Sequence, residues 1–406
     1  MAMEEETALV VGSSSPTHTL NHKRDIHILS WAFLLIFLAY GAVQNLESTI
    51  NTEGDLGTIS LGILYVSFAV FSVVASLVVR NLGTKNALIL GSTGYWLFIA
   101  ANLVPTWYTM VPASLFLGFA SSLIWVGQGT YLTSTARSHA NDYELHEGAV
   151  IGKFNGEFWG MFACHQLVGN LITLALLRDG KGGKTTGTTF LFVMFLCSST
   201  IVVSLLKTIL ALLLDIRILL VIPLLAYSGL QQAFVWAEYT KYLIKPTLGE
   251  RGVGGAMAVY GVFDAICSVA AGRLTSGLSS ITLIVSLGAF IQAIVLCLLL
   301  LNYSISGGLL GTLYLLLIGG MWGIGDGVLN TQLSAFLGIL FKHDLEGAFA
   351  QLKLWQSISI AVVYFLSSYI SFQTMVVIML AALCISVAGF LFLTLQMEKV
   401  FSQRAS

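Results

Sequence analysis

The chain has 406 residues, of which 56% are hydrophobic and only 10% charged, with a formal net charge of −1. An ordinary soluble domain carries roughly 25% charged residues, so this composition excludes a water-facing globule, and the near-neutral charge argues against a nucleic-acid partner. A mean hydropathy of +0.86 makes lipid the expected solvent.

The first 27 residues are polar, so no cleavable signal is expected there. They are expected as a disordered cytoplasmic tail, although Glu5 to Val10 loosely resembles a sorting signal. Beyond them, apolar stretches near the ~20 residues needed to cross a bilayer recur along the chain. They predict twelve transmembrane helices near 29–50, 57–79, 86–104, 109–134, 149–177, 188–206, 218–239, 252–273, 279–301, 308–332, 347–370 and 373–396. No short alternating strands are visible, which excludes a barrel. The expected fold is an all-α membrane protein with an N-terminal six-helix half at 28–206 and a C-terminal six-helix half at 218–397. A short cytoplasmic linker at 207–217 joins them, and a cytoplasmic tail follows at 398–406. The linker region is itself apolar, so either a short helix lies on the inner membrane surface there or the sixth span runs on.

Thirteen of the nineteen Lys and Arg fall on the side that holds the N-terminus, which predicts a multi-pass protein with both termini cytoplasmic. All five Cys lie within predicted spans, so no disulfide framework is implied. Asn302 opens an "NYS" glycosylation sequon on the predicted outer side, in a loop too short for ready use.

Leu38-Ala39-Tyr40 in "FLAYGAVQNLE" recurs 187 residues later as Leu225-Ala226-Tyr227 in "LLAYSGLQQAF". Glu147-Gly148-Ala149 recurs 199 residues later as Glu346-Gly347-Ala348. Each Glu-Gly-Ala opens a predicted span and is followed by a lysine, Lys153 or Lys353. Between these markers, "VGQGTYLTS" is echoed by "IGDGVLNTQLS". Markers in one order at nearly one offset predict two homologous halves in the same orientation, the major facilitator arrangement.

Ionisable groups inside spans cost about 3 kcal/mol each and face a cavity or a partner. Glu157 sits near mid-depth of the fifth span, within Gly152-x-x-x-Gly156-x-x-x-Gly160, a face that admits a close helix. In the facilitator arrangement that neighbour is the eighth span, which carries Asp264. The two carboxylates are candidates to hold one proton or cation between them. The alternative is a Glu157 bonded to backbone or paired with Lys153. The first, fourth, seventh and tenth spans are expected to line the cavity, and they contribute Gln44 and Asn45, Gln128, Gln231 and Gln232, and Asp326. Amide oxygens suit a weakly held cation or a small polar solute, and amides equally bind helices together. Glu47 and Glu238 lie near predicted outer ends, either solvated or drawing cations to the mouth. His165 reads as a packing residue rather than a proton shuttle.

The segments "LAYGAVQNLES", "WVGQGTYLT", "EGAVIGKFNGEFWG" and "LLAYSGLQQAFVWAEYTKYL" carry a resemblance that runs from about residue 26 to the end. They resemble the uncoordinated-93 family, the ion-channel regulatory branch of the major facilitator superfamily, and are most similar to its plant-type members. The resemblance implies a twelve-helix facilitator fold and a link to potassium-channel regulation or cation balance. In animal relatives it also implies the escort of other membrane proteins. One departure concerns the Gly-x-x-x-Asp-Arg-x-Gly-Arg-Arg stretch that transporters of the superfamily often carry. Here "SLVVRNLGTKN" keeps Arg80, Gly83 and Lys85 without the Asp, and "AAGRLTSGLSS" keeps Gly272 and Arg273 without one. Arg80, Lys85, Lys153, Arg273 and Lys353 are therefore candidate gating or loop residues around an incomplete charge latch.

"RDGKGGKTT" fails as a phosphate loop because Arg178 stands where a Gly is required. "HANDYELHE" lacks metal-ligand helix spacing, and no nucleophilic triad is visible, so neither an enzyme nor a cofactor is expected. The expected partners are the lipid bilayer and, for a transporter-like facilitator of potassium or cation balance, a cation, proton or small polar solute. The alternative is a non-transporting accessory subunit or trafficking escort for a potassium channel or other membrane protein.

Overall fold

The computed structural model describes residues 22–50, 56–178, 216–301, 308–367 and 369–405. In chain order the helices are α1 (His22–Ile50), α2 (Leu56–Leu82), α3 (Thr84–Ala101), α4 (Trp107–Asp142) and α5 (Glu147–Arg178). There follow α6 (Ile216–Ala233), α7 (Lys245–Leu274), α8 (Leu278–Leu300), α9 (Leu309–Leu340), α10 (Leu345–Leu366) and α11 (Phe372–Ala405). Nine segments among the described residues are long and apolar enough to cross a membrane. The solvent dictates this form: in hydrocarbon no water satisfies a free amide, so each apolar run closes its hydrogen bonds within itself. The seventh to twelfth predicted spans are α6 to α11. The predicted sixth span, most of the linker and Asn302 lie outside the described residues.

Local chemistry sets the helix ends. α1 starts at His22, inside the stretch expected as tail, where His22 Nε2 meets Asp142 Oδ2 at 2.8 Å. Thr106 caps α4, its hydroxyl accepting from the Thr109 amide while Thr109 returns the bond. Asp344 caps α10 by accepting from the Gly347 amide at 3.1 Å. The expected loop between α6 and α7 is instead helical. α6 passes into a π-helical segment, Phe234–Ile244, and the chain turns at Gly249, with φ 71° and ψ −179°. That backbone region is essentially reserved for glycine.

Two long contacts join the helices before residue 178 to those after 216: α5 lies along α7, and α2 along α10. The α5–α7 contact is glycine-made. A Cβ at Gly156 would stand 2.7 Å from the Cα of Gly272, so neither position tolerates a side chain. On the outside, Leu283, Leu287 and Phe290 of α8 are more than half exposed, as lipid contact requires and water would not favour.

Candidate functional site

The helices enclose a cavity of about 80 Å³, room for several waters. One wall is aromatic: Phe37 and Tyr40 of α1, Tyr65 of α2, Tyr95 of α3, Trp125 of α4, and Trp159 and Phe162 of α5. The facing wall is polar: Gln232 of α6, Asp264 of α7, Asp326 and Asn330 of α9, and Lys353 and Gln356 of α10.

Asp326 is the hub of the polar wall and is 4% exposed. Its carboxylate accepts from Gln231 Nε2 at 2.8 Å, Asn330 Nδ2 at 2.9 Å, Gln232 Nε2 at 3.4 Å and the Tyr260 hydroxyl. The Gln292 amide donates to Gln231 and fixes it from behind. Asp264 accepts from Ser268 Oγ at 3.2 Å and lies within electrostatic reach of Asp326. Gly323 and Gly327 of α9 set this proximity, since any side chain there would strike the backbone of Tyr260 or Asp264.

Lys353 is 7% exposed. Its ammonium donates to Gln356 Oε1 at 2.8 Å and stands 4.3 Å from the centre of the Trp125 ring and 5.7 Å from a Trp159 ring. The two indoles stack at 5.6 Å with 10° between planes. Trp125 Nε1 donates to the Tyr95 hydroxyl at 3.1 Å and Trp159 Nε1 to Ser334 Oγ at 3.2 Å, which locks both rings.

Of the residues expected at the cavity, Gln44, Gln232, Asp264 and Asp326 line it. Gln44 also donates to the Tyr65 hydroxyl at 2.9 Å. Gln231 lies one layer back, bonded to Asp326. Gln128 is buried outside the lining, and its Nε2 has no hydrogen-bond partner among the described residues. The side chains of Asn45 and Glu47 are outside the described residues. Glu157 is partly exposed and is not among the lining residues. The carboxylate that shares the cavity with Asp264 is therefore Asp326. The reason is helical: the Gly152, Gly156 and Gly160 face turns to α7, and Glu157 follows Gly156 by a rotation of about 100°.

Lys85, Lys153 and Arg273 are exposed, as loop and helix-end residues. Lys353 differs: eight residues into α10, it is buried and lines the cavity. Glu238, expected at a solvated outer end, is fully buried in the π-helical segment. His165 is buried at the cavity edge, its Nδ1 2.6 Å from the Phe162 carbonyl. Sequence reasoning passed over Trp125, Trp159, Tyr260, Asn330 and Gln356. Trp125 and Trp159 do lie inside the motifs "WVGQGTYLT" and "GKFNGEFWG", but spacing alone does not bring a lysine between them.

At the end of the bundle where α4 and α9 finish and α5 and α10 begin, ion pairs tie the two groups of helices. Arg80 Nη2 meets Asp344 Oδ1 at 2.6 Å and Glu346 Oε2 at 3.7 Å. Arg137 meets Glu147 at 2.9 Å and donates to the Gly338 and Lys342 carbonyls at 2.5 and 3.0 Å. Lys342 closes the set on Glu147 at 2.5 Å. The acid missing beside Arg80 in the sequence is thus supplied by Asp344 and Glu346, across the bundle. Partial burial opposes ionisation of Glu147, but the hydrogen bonds and charges of Lys342 and Arg137 outweigh it and hold the carboxyl below its ordinary range.

In shape the chain is similar to the human organic anion transporter MFSD10, with a TM-score of 0.62 and 13% identity over 92% of this chain and 99% of that one. The E. coli fucose:proton symporter FucP gives 0.62 at 10% identity, covering 92% and 99%. A bacterial homologue of the iron transporter ferroportin, in an outward-facing state, gives 0.60 at 14%, covering 92% and 100%. These likenesses identify a major facilitator type of fold.

In sequence, UNC93-like protein 3 of Arabidopsis thaliana is 62% identical over 93% of this chain and 88% of its own length. Protein unc-93 homolog A of Homo sapiens is 28% identical over 90% and 92%. The putative potassium channel regulatory protein unc-93 of Caenorhabditis elegans is 27% identical over 90% of this chain and 60% of its own. The family model for the ion channel regulatory protein UNC-93 matches residues 48–208 and 197–393. With nearly the whole chain matched, this multi-pass membrane protein belongs to the UNC-93 family of ion channel regulatory proteins.

Proposed function

We propose that the protein is a non-enzymatic facilitator whose central cavity takes up a cation or proton, and that two six-helix halves rock about that cavity to expose it to either side in turn. In this reading both termini are cytoplasmic and the ion-paired end is the closed cytoplasmic side. The observation that carries it is Asp264 and Asp326, both under 10% exposed, facing one small cavity. Two carboxylates that feel each other in a water-poor space are stable with one positive charge between them. The match of the family model in two stretches supports the duplicated halves. The test is flux of potassium, protons or another monovalent cation into liposomes reconstituted with the purified protein. Asp264→Asn and Asp326→Asn should each abolish it, whereas Glu157→Gln should leave it near wild type. Absence of flux, or flux indifferent to both aspartates, refutes the facilitator.

A second reading, an accessory subunit or escort for a potassium channel, draws support from the name of the Caenorhabditis elegans relative. It predicts a channel recovered by gentle co-purification from native membranes, and currents that change when this chain is removed.

A further inference from the structure

Lys353 ends in an amine buried at the cavity. A buried amine would ordinarily be expected on a carboxylate, and Asp326 is near enough to act on it electrostatically. Yet its direct partners are one neutral amide, at 2.8 Å, and the faces of two stacked indoles. Aromatic faces attract cations through the ring quadrupole, and do so best for weakly hydrated alkylammonium groups in a desolvated setting. The locked Trp125 and Trp159, the acids Asp264 and Asp326 beyond, and a ring of Phe37, Tyr95 and Phe162 make a box for an amine.

We propose that this cavity is a site for small alkylammonium ions, primary or quaternary, and that Lys353 is its built-in occupant, a tethered competitor that a free amine must displace. The inference rests on the cavity being the binding site of the facilitator, and it names the class of ligand. In this scheme the incoming ammonium takes the seat over Trp125, and the Lys353 amine swings away from the indoles toward the aspartates. No covalent change is involved.

Tetramethylammonium is the probe, and tryptophan fluorescence of the full chain in nanodiscs is the readout, so binding is measured without any need for transport. Wild type should bind it weakly and Lys353→Ala at least tenfold more tightly, because the competitor is gone. Lys353→Arg, which keeps a tethered cation, should bind no better than wild type. In the Lys353→Ala background, Trp125→Leu should lose about tenfold, and tert-butanol, of similar size but neutral, should not compete. If Lys353→Ala gains nothing, or if its gain survives Trp125→Leu or is matched by tert-butanol, Lys353 is merely a structural counter-ion and the proposal fails. Should Lys353→Ala not fold, Lys353→Gln serves with the same expectation. The two ideas separate cleanly: binding without flux removes the facilitator and keeps the amine site, whereas potassium or proton flux without tetramethylammonium binding removes only the amine site.

Discussion

Asp326 gathers donors from three helices, α6, α7 and α9, so its loss is felt as orphaned groups. Asp326→Ala strands Gln231, Asn330 and Tyr260 in a buried site, and each buried donor left unpaired costs about 1–3 kcal/mol. Because the cavity relaxes and admits some water, we expect a total loss near 3 kcal/mol. Asp326→Asn keeps an acceptor oxygen and should lose about 1 kcal/mol. The unfolding midpoint in detergent, wild type against both variants, measures the difference; equal losses would mean that the donors find other partners. The same comparison at Glu157, partly exposed and away from the cavity, should give a change within about 0.5 kcal/mol.

Among the elements, α7 is the most constrained, with α5 on one side and α9 on the other. Gly156→Val would drive a branched side chain into the Gly272 backbone. Overpacking of this kind costs about 1–3 kcal/mol, and here it should also reduce the monodisperse yield on size exclusion. The conservative Gly255→Ala, where a Cβ meets nothing within 4 Å, is the control and should be silent. The corner at Gly249 makes a separate prediction. Its φ of 71° with ψ −179° is a region reserved for glycine, so Gly249→Ala should lower stability by about 1–3 kcal/mol although open space surrounds it. A neutral result there would place the turn between α6 and α7 elsewhere.

At the scale of the whole molecule, the proposed rocking motion makes a prediction at the ion-paired end. Glu147 answers to Arg137 and Lys342, with Arg80, Asp344 and Glu346 as the neighbouring pair. Its carboxyl is held below the ordinary range while latched, so its contribution to closure is complete above that range. The contribution is lost as pH falls through the depressed value. Acid should therefore open this end, and Glu147→Gln should mimic acid at neutral pH. Spin labels at the exposed positions Lys85 and His343, introduced as Lys85→Cys and His343→Cys, should show a longer-distance population under either condition. A distance distribution unchanged by both acid and Glu147→Gln would mean that packing of α5 on α7 and α2 on α10 alone holds the end shut. Because surface pairs contribute about 0–1 kcal/mol each, the latch is a bias on the equilibrium rather than a lock.

Lipid makes helix the only economical state for a long apolar run, so composition and run length already determined eleven of the helices described here, within a few residues at most ends. The Glu-Gly-Ala markers likewise identified the starts of α5 and α10, because an acidic residue at a helix start and a small residue after it are local requirements. What the sequence did not contain was which faces meet. Glu157 and Lys353 show why: both are charged residues inside predicted helices, and a rotation of about 100° about the helix axis separates a group at the edge from one in the cavity. Only the packing of α7 between α5 and α9 brought Asp264 to Asp326, and only the approach of α10 to α4 and α5 laid an ammonium on two indoles. Those contacts join residues more than 60 positions apart, and they are set by glycine clearances on neighbouring helices rather than by any spacing along one.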